Sequence, residues 1–91
     1  MLEFTDVIEP PPLISENQEA ILWALLDLGV SCVGDVAEDA VLSTDCVRAN
    51  LGHLCSYGYT TRETREPVPG GARHWYELTA TGAAAIGQGE R

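Results

Sequence analysis

One segment of the sequence, residues 43–59, combines an apolar helical spacing with polar side chains on the opposite side. It reads STDCVRANLGHLCSYGY. Val47, Leu51 and Leu54 recur at positions i, i+4 and i+7, the pattern of a buried helix face, and Ser43 is a good N-cap. The opposite face carries small and polar residues, Asp45, Ala49, Gly52, His53 and Ser56, with Arg48 and Thr44 at its edges and Asn50 on the other flank. Arg48 has the strongest chemistry, because a guanidinium donates two parallel hydrogen bonds to paired acceptors such as O6 and N7 of guanine.

Three residues of this face have two interpretations each. Gly52 costs a helix up to about 1 kcal/mol relative to alanine. The close approach of another surface is one reason to keep it, and drift at a solvent-facing position is the other. Arg48 could instead form an exposed ion pair with Asp45, worth a few tenths of a kcal/mol. Asp45 would repel phosphates and could accept a hydrogen bond from cytosine N4, but we favour a simple interaction with the helix dipole.

Two helices are predicted before this segment. The first begins after Ser15, an N-cap with Gln18 three residues later as in a capping box, and ends at Gly29. Its apolar face consists of Ile21, Leu22, Leu25, Leu26 and Leu28. Trp23 points away from that face, so we expect an exposed indole on a partner surface, unless the N-terminal arm covers it. A second helix of about seven residues is predicted within residues 30–40, VSCVGDVAEDA.

The segment after the third helix has the composition of a β-hairpin. YTTRETRE and RHWYELT are rich in Tyr, Thr and Trp, and PVPGG between them is a turn signal. Alternation places Tyr76 and Leu78 toward the core and Arg73, Trp75 and Glu77 outward. A last short helix, ATGAAAIG, is predicted to follow a cap at residue 79.

The charge is distributed unevenly along the chain. The 91 residues carry 14 acidic residues against five arginines and no lysine, giving a net charge of −9. Residues 1–42 hold nine acids and no base, whereas residues 43–79 hold four of each. Every internal arginine therefore falls in the third helix or the hairpin, and the location of the cations matters more than the total. The acidic, lysine-free composition resembles that of proteins from high-salt cytoplasms, or reflects a coding bias.

Several classes of protein are disfavoured. The longest apolar run, residues 20–26, is far shorter than the roughly 20 residues that cross a bilayer. The three cysteines have neither a disulfide framework nor a metal-ligand spacing. No phosphate-binding glycine loop or nucleophile motif is present. We therefore expect a cytoplasmic protein that is not an enzyme, has no cofactor or metal, binds no membrane and shows no small-molecule ligand site.

Two motifs resemble those of a known family. LSTDCVRANLGHLCSYGYTTR is similar to the family pattern of a turn, a Ser/Thr cap and a helix with V-x-x-x-L-x-x-L-x-x-x-G. WYELTATG is similar to its Y-x-L-T-x-x-G signature. With the order helix, helix, helix, hairpin, helix, they resemble the winged helix-turn-helix domain. The resemblance is closest to the multiple-antibiotic-resistance-regulator (MarR) type and to small repressor-like proteins of salt-loving archaea and their viruses. It implies an α+β, mainly α, fold, with an extended arm at residues 1–12, the domain at 13–87 and a tail at 88–91.

The resemblance implies a sequence-specific, double-stranded DNA-binding transcriptional regulator, a repressor that acts as a homodimer. The third helix would enter the major groove and the wing would contact the backbone. The candidate DNA contacts are Thr44, Asp45, Arg48, Ala49, Gly52, His53, Arg62, Arg65 and Arg73. The candidate dimer contacts are Leu2, Phe4, Ile8, Trp23 and Ile86. The alternative is a winged-helix module that binds another protein, for example as an acidic mimic of DNA, and does not bind DNA.

Overall fold

A computed structural model describes residues 14–68 and 71–87, with side chains for residues 14–64 and 74–87. Four helices and one hairpin follow in the predicted order: α1 (Glu16–Leu28), α2 (Val33–Ala40), α3 (Thr44–Ser56), β1 (Thr60–Val68), β2 (Gly71–Leu78) and α4 (Ala80–Ala85). The predicted α+β, mainly helical class is confirmed. The predicted arm at residues 1–12 and the tail at 88–91 lie outside the described residues.

The first helix is bounded as its sequence predicts. Ser15 Oγ accepts a hydrogen bond from the Gln18 N–H, and Gln18 Oε1 accepts one from the Ser15 N–H, both at 3.1 Å. These two bonds form the predicted capping box. At the other end Gly29 has φ 79°, and its N–H donates to the Leu25 carbonyl at 2.8 Å. The local signals at both ends therefore fix the length of α1.

The buried face of the bundle is built from all three long elements. Ile21, Leu22 and Leu25 of α1 are buried together with Val36 of α2. Val47, Leu51 and Leu54 of α3 complete this core, as the helical spacing predicts. Tyr59, Tyr76 and Ile86 close it from the hairpin and α4 side. Burial of this stripe holds α3 against the bundle and leaves its opposite face free for contacts.

The turn between α2 and α3 contains a strained residue. Val41 has φ 58° and ψ 51°, in the left-handed region, and its N–H donates to the Ala37 and Glu38 carbonyls as the C-cap of α2. The side chain is 86% exposed, so it contributes little to the core. A β-branched residue in this region is an outlier, because its Cβ crowds the backbone. The turn therefore keeps its shape at a cost in conformational energy.

Replacing this residue should stabilise the protein. We expect Val41→Gly to raise the free energy of unfolding by about 1 kcal/mol, because glycine adopts the left-handed conformation without a Cβ clash. Urea denaturation followed by circular dichroism measures the change. Val41→Ala is the matched control, since it shortens the side chain but keeps Cβ, and it should give a smaller gain. Equal gains for both variants would show that strain at this turn is not the cause.

The hairpin is longer than its sequence suggests. The register pairs Thr60 with Leu78, Arg62 with Tyr76 and Arg65 with Arg73, and after an irregularity Val68 pairs with Gly71. The prediction of a PVPGG loop over residues 67–71 is thus wrong at both ends. A two-stranded sheet consists of edges only, and an edge or a bulge tolerates proline, so the strands continue. Tyr76 is buried, Leu78 packs against the core and Glu77 is exposed, as predicted.

A further backbone pair joins the hairpin to the helices. The Ser31 N–H donates to the Tyr76 carbonyl at 3.0 Å, and the Tyr76 N–H donates to the Ser31 carbonyl at 2.8 Å. This isolated antiparallel bridge connects the segment between α1 and α2 to β2. The wing is therefore anchored to the bundle by backbone hydrogen bonds as well as by side-chain burial.

The last helix is tied to the end of α3. Thr79 Oγ1 accepts from the Gly82 N–H at 2.9 Å, which confirms the predicted cap, and its hydroxyl donates to the Gly58 carbonyl at 2.7 Å. The Thr79 N–H donates to the Tyr59 carbonyl at 3.0 Å. Ile86, a predicted dimer contact, is only 7% exposed and belongs to the core of the single chain. Most of its surface is therefore already covered within one chain.

The predicted exposure of Trp23 is wrong. The side chain is half-buried and packs against the core. Its Nε1 donates to Glu19 Oε2 at 3.4 Å, one helical turn back. Long side chains on a helix lean toward its N-terminus. The position of a Cα on a helical wheel therefore does not give the surface that a large indole covers. The other predicted dimer contacts, Leu2, Phe4 and Ile8, lie outside the described residues.

Candidate nucleic-acid interface

The polar face of α3 is presented to solvent. Because Val47, Leu51 and Leu54 are buried, the residues on the opposite side of the helix face outward. The predicted contact residues on α3 are all exposed: Thr44, Asp45, Arg48, Ala49, Gly52 and His53. Ser43 Oγ accepts from the Cys46 N–H at 3.1 Å and starts the helix as predicted. The structure thus places these six residues on an accessible surface.

Arg48 is held by its neighbour on the same helix. Its Nη1 lies 3.0 Å from Asp45 Oδ1. The two side chains are 63% and 94% exposed, so the pair is well solvated. Exposed pairs of this kind contribute about 0.2–1 kcal/mol, which is less than a bidentate contact to a base. The ion pair that the sequence offers as the alternative role of Arg48 is present, and it is weak enough to be exchanged for a stronger acceptor.

The flank of α3 facing α1 carries a polar network that the sequence analysis missed. Gln18 is buried, and its Nε2 donates to Asn50 Oδ1 at 3.1 Å. Asn50 Nδ2 donates to the Cys46 carbonyl at 2.8 Å and lies 3.5 Å from the Cys46 thiol. The capping residue of α1 is therefore also a link to α3. This network links α3 to α1. In the sequence, Gln18 was recognisable only as the capping-box residue, so its contact with Asn50 was not predicted.

The hairpin brings further cationic residues beside α3. Arg62 is exposed and lies opposite Tyr76 in the register. Arg65 is paired with Arg73, so two cationic residues occupy one cross-strand position. The two strands also carry Glu63, Glu66 and Glu77, so arginines and acidic residues are equal in number on the hairpin.

A groove separates α3 from the hairpin. It has a volume of ≈ 440 Å³. Its lining consists of Gly52, Cys55, Thr60, Thr61, Arg62 and Tyr76. Two predicted contact residues from different elements, Gly52 and Arg62, are therefore brought to one concave surface, and no acidic residue lines it.

The acidic residues are unevenly distributed: α1 and α2 carry acids alone, whereas α3 and the hairpin carry four acids together with four arginines. In α1 and α2 the acidic side chains are all exposed, and neither helix contains a base: Glu16, Glu19, Asp27, Asp35, Glu38 and Asp39. Every arginine in the described part of the chain lies on α3, β1 or β2. The net negative charge therefore lies on α1 and α2, and the positive residues lie on α3 and the hairpin, where acids and arginines are equal in number.

Among residues 14–68 and 71–87, no three His, Cys, Asp or Glu side chains come together as a metal-binding group. The three cysteines carry free thiols. None of the helices within those ranges is long and apolar enough to span a bilayer.

Comparison with known proteins identifies the fold. No family model and no curated protein sequence matches the chain. Solved structures do match. A MarR-family transcriptional regulator from Silicibacter pomeroyi has a TM-score of 0.73 at 20% identity, covering 82% of this chain and 49% of its own. The MepR–DNA complex of S. aureus has a TM-score of 0.69 at 18% identity, covering 81% and 60%.

A third structure is matched over most of its own length. This PadR-family transcription regulator from Clostridium difficile has a TM-score of 0.69 at 16% identity, covering 80% of this chain and 81% of its own. The chain spans about half the length of several MarR-type structures that it matches. At these identities the likeness establishes the fold: the chain is a winged helix with the architecture of MarR-type regulators. The resemblance predicted from the two motifs is confirmed at that level.

Proposed function

We propose that this protein is a transcriptional regulator that binds double-stranded DNA sequence-specifically and has no enzymatic activity. The exposed face of α3 enters the major groove, and the hairpin contacts the sugar–phosphate backbone. One observation carries the proposal: every arginine of the described chain lies on α3 or the hairpin, and these elements share a groove without an acidic residue. The DNA complex of MepR and the regulator names of the other neighbours support it.

The proposed contact residues have two roles: some recognise bases, and others bind phosphates regardless of sequence. Arg48 is the residue of α3 best suited to a specific base contact, through a bidentate pair to guanine. Thr44, Ala49, Gly52 and His53 shape the rest of the helix surface. The hairpin arginines, Arg62, Arg65 and Arg73, neutralise phosphates and supply affinity that is independent of sequence. Asp45 tempers this binding, because it holds Arg48 and opposes phosphate charge.

A homodimer that represses transcription is the form we expect. The four arginines on α3 and the hairpin supply few phosphate contacts, and two chains on neighbouring half-sites would double them. The exposed part of the half-buried Trp23, with Leu2, Phe4 and Ile8, provides the proposed interface. Ile86 would contribute only its small exposed part.

A second candidate function follows from the acidic helices. The exposed carboxylates of α1 and α2, with no base among them, fit a module that binds a basic protein surface instead of DNA. The two functions differ in what they select from a mixture of DNA fragments, since only the regulator recognises a sequence.

Fragment selection tests the proposed function. The purified chain is incubated with sheared genomic DNA that includes the region upstream of its own gene, and bound fragments are sequenced. We expect a short sequence to be enriched in the bound fraction, most strongly at moderate salt. Enrichment of no sequence at any salt concentration would reject direct regulation and favour the protein-binding module.

A further inference from the structure

The first turn of α1 is joined to the first two turns of α3 by polar contacts. Gln18 Nε2 donates to Asn50 Oδ1 at 3.1 Å, and Asn17 Nδ2 donates to the Cys46 sulfur at 3.6 Å. Asn50 Nδ2 in turn donates to the Cys46 carbonyl at 2.8 Å. A side chain of α1 is therefore connected to a backbone carbonyl of α3 through one intermediate amide.

The amide of Gln18 has a fixed orientation. Its Oε1 accepts a hydrogen bond from the Ser15 N–H at 3.1 Å, and the side chain is only 9% exposed. Turning the amide over would place its NH₂ group against the Ser15 N–H and its oxygen against Asn50 Oδ1, so both hydrogen bonds would be lost. Gln18 consequently directs its donor toward Asn50.

Apolar packing alone defines the position of α3 less sharply than this link does. The buried stripe of α3, Val47, Leu51 and Leu54, is held by burial, which has no preferred direction. A hydrogen bond is directional, and buried polar groups fix the register of packed helices in some proteins. A small shift of α3 along its axis would break the Gln18–Asn50 bond while changing the apolar burial little.

Arg48 depends on the position of this part of α3. It lies between Cys46 and Asn50 in the helix, and its side chain is 63% exposed. A bidentate contact to guanine requires the guanidinium to be held within about 0.5 Å of its productive geometry. Displacement of the first two turns of α3 would therefore affect the proposed base contact more than it would affect phosphate contacts made by the hairpin.

We propose that Gln18 is a positioning residue for base recognition. Through Asn50 and the Cys46 carbonyl it fixes the placement of α3, and with it Arg48, in the major groove. Gln18 is buried, so it acts without touching the DNA. The proposal rests on the proposed function and makes sequence discrimination depend on a residue outside the contacting surface.

Gln18→Glu tests the link, with a fragment preferred by the wild type and a scrambled fragment of equal length. Glutamate keeps an acceptor for the Ser15 N–H but replaces the donor that faces Asn50 with an oxygen. The dissociation constant for the preferred fragment should rise about tenfold, whereas that for the scrambled fragment should stay unchanged, because it depends on phosphate contacts. Gln18→Met adds no buried charge, and it should lose discrimination to the same degree.

Ser15→Ala is the matched control. It removes the hydroxyl that caps α1 but keeps the Ser15 N–H and the Gln18–Asn50 bond. Its Tm should fall by about 4–8 °C, while the ratio of the two dissociation constants should match that of the wild type.

The outcomes separate this inference from the proposed function. If the wild type prefers one fragment and both Gln18 variants discriminate as well as it does, the positioning role is overturned and the proposed function stands. Equal loss of discrimination by Ser15→Ala would also overturn it, because any loosening of α1 would then have the same effect. If the wild type prefers no fragment, the proposed function fails and the positioning role fails with it.

Discussion

Gly82→Ala should lower the free energy of unfolding by about 3 kcal/mol, the largest effect on stability that we expect from any single methyl group in this chain. Gly82 is buried at the start of α4. A Cβ placed there would overlap the Tyr59 carbonyl oxygen and lie 2.8 Å from Leu78 Cδ1. That carbonyl is fixed because it accepts the Thr79 N–H, and the Tyr59 N–H donates to the Leu54 carbonyl, both at 3.0 Å. The clash is with backbone, which side-chain rotation cannot relieve.

Urea denaturation followed by circular dichroism measures this loss. Gly34→Ala is the matched control, since Gly34 also lies within a helix but a Cβ there meets nothing within 4 Å. We expect this control to leave stability unchanged or to raise it slightly. If Gly82→Ala is as stable as Gly34→Ala, the close packing of α4 on Tyr59 is wrong. Gly82 is the glycine of the Y-x-L-T-x-x-G motif. Its physical role is to let α4 pack directly on the Tyr59 backbone, which precedes the hairpin.

Arg48→Ala should weaken binding to the preferred DNA fragment by about 1–3 kcal/mol, the largest effect on recognition that we expect from one side chain. Arg48 is the single arginine on the exposed face of α3, and its present partner is only a solvated carboxylate. Exchange of that pair for two hydrogen bonds to guanine therefore favours the complex. Discrimination between the preferred fragment and a scrambled one should fall together with the affinity. Fluorescence anisotropy with both fragments measures the two quantities.

The ion pair itself provides a control for this prediction. Asp45→Asn breaks the same 3.0 Å contact from the other side. If loss of the pair merely disturbs α3, both variants should weaken binding. If Arg48 contacts DNA, Asp45→Asn should tighten binding, because it releases the guanidinium and removes a negative charge near the phosphates. Weaker binding by both variants would contradict the assignment of Arg48 to a base contact.

Features encoded within a few residues were predictable from the sequence. Ser15, Ser43 and Thr79 cap α1, α3 and α4 as predicted, because a cap is a bond between residues three positions apart. The buried stripe of α3 followed from helical periodicity, and that stripe in turn predicted the exposed face of the candidate site. The fold followed from the order of these elements and two short motifs.

Features that depend on distant residues were not predictable. The Gln18–Asn50 hydrogen bond joins residues 32 positions apart, and the Ser31–Tyr76 bridge leaves no periodic signal in the sequence. The half-burial of Trp23 depends on how the indole lies across its own helix. The groove that joins Gly52 to Arg62 exists only once the hairpin is packed beside α3. The candidate residues were therefore chosen by type and spacing, and their arrangement into one surface required the structure.

The salt dependence of DNA binding is the decisive measurement for recognition of DNA through α3 and the hairpin. The association constant of the wild type for its preferred fragment is measured by anisotropy over a series of salt concentrations. The three hairpin arginines that contact phosphates predict a plot of log K against log salt with a slope of about −3 per bound chain. Arg62→Gln should make the slope less steep by about one. Absence of binding at every salt concentration, or binding that does not weaken as salt rises, would contradict recognition of DNA through this surface.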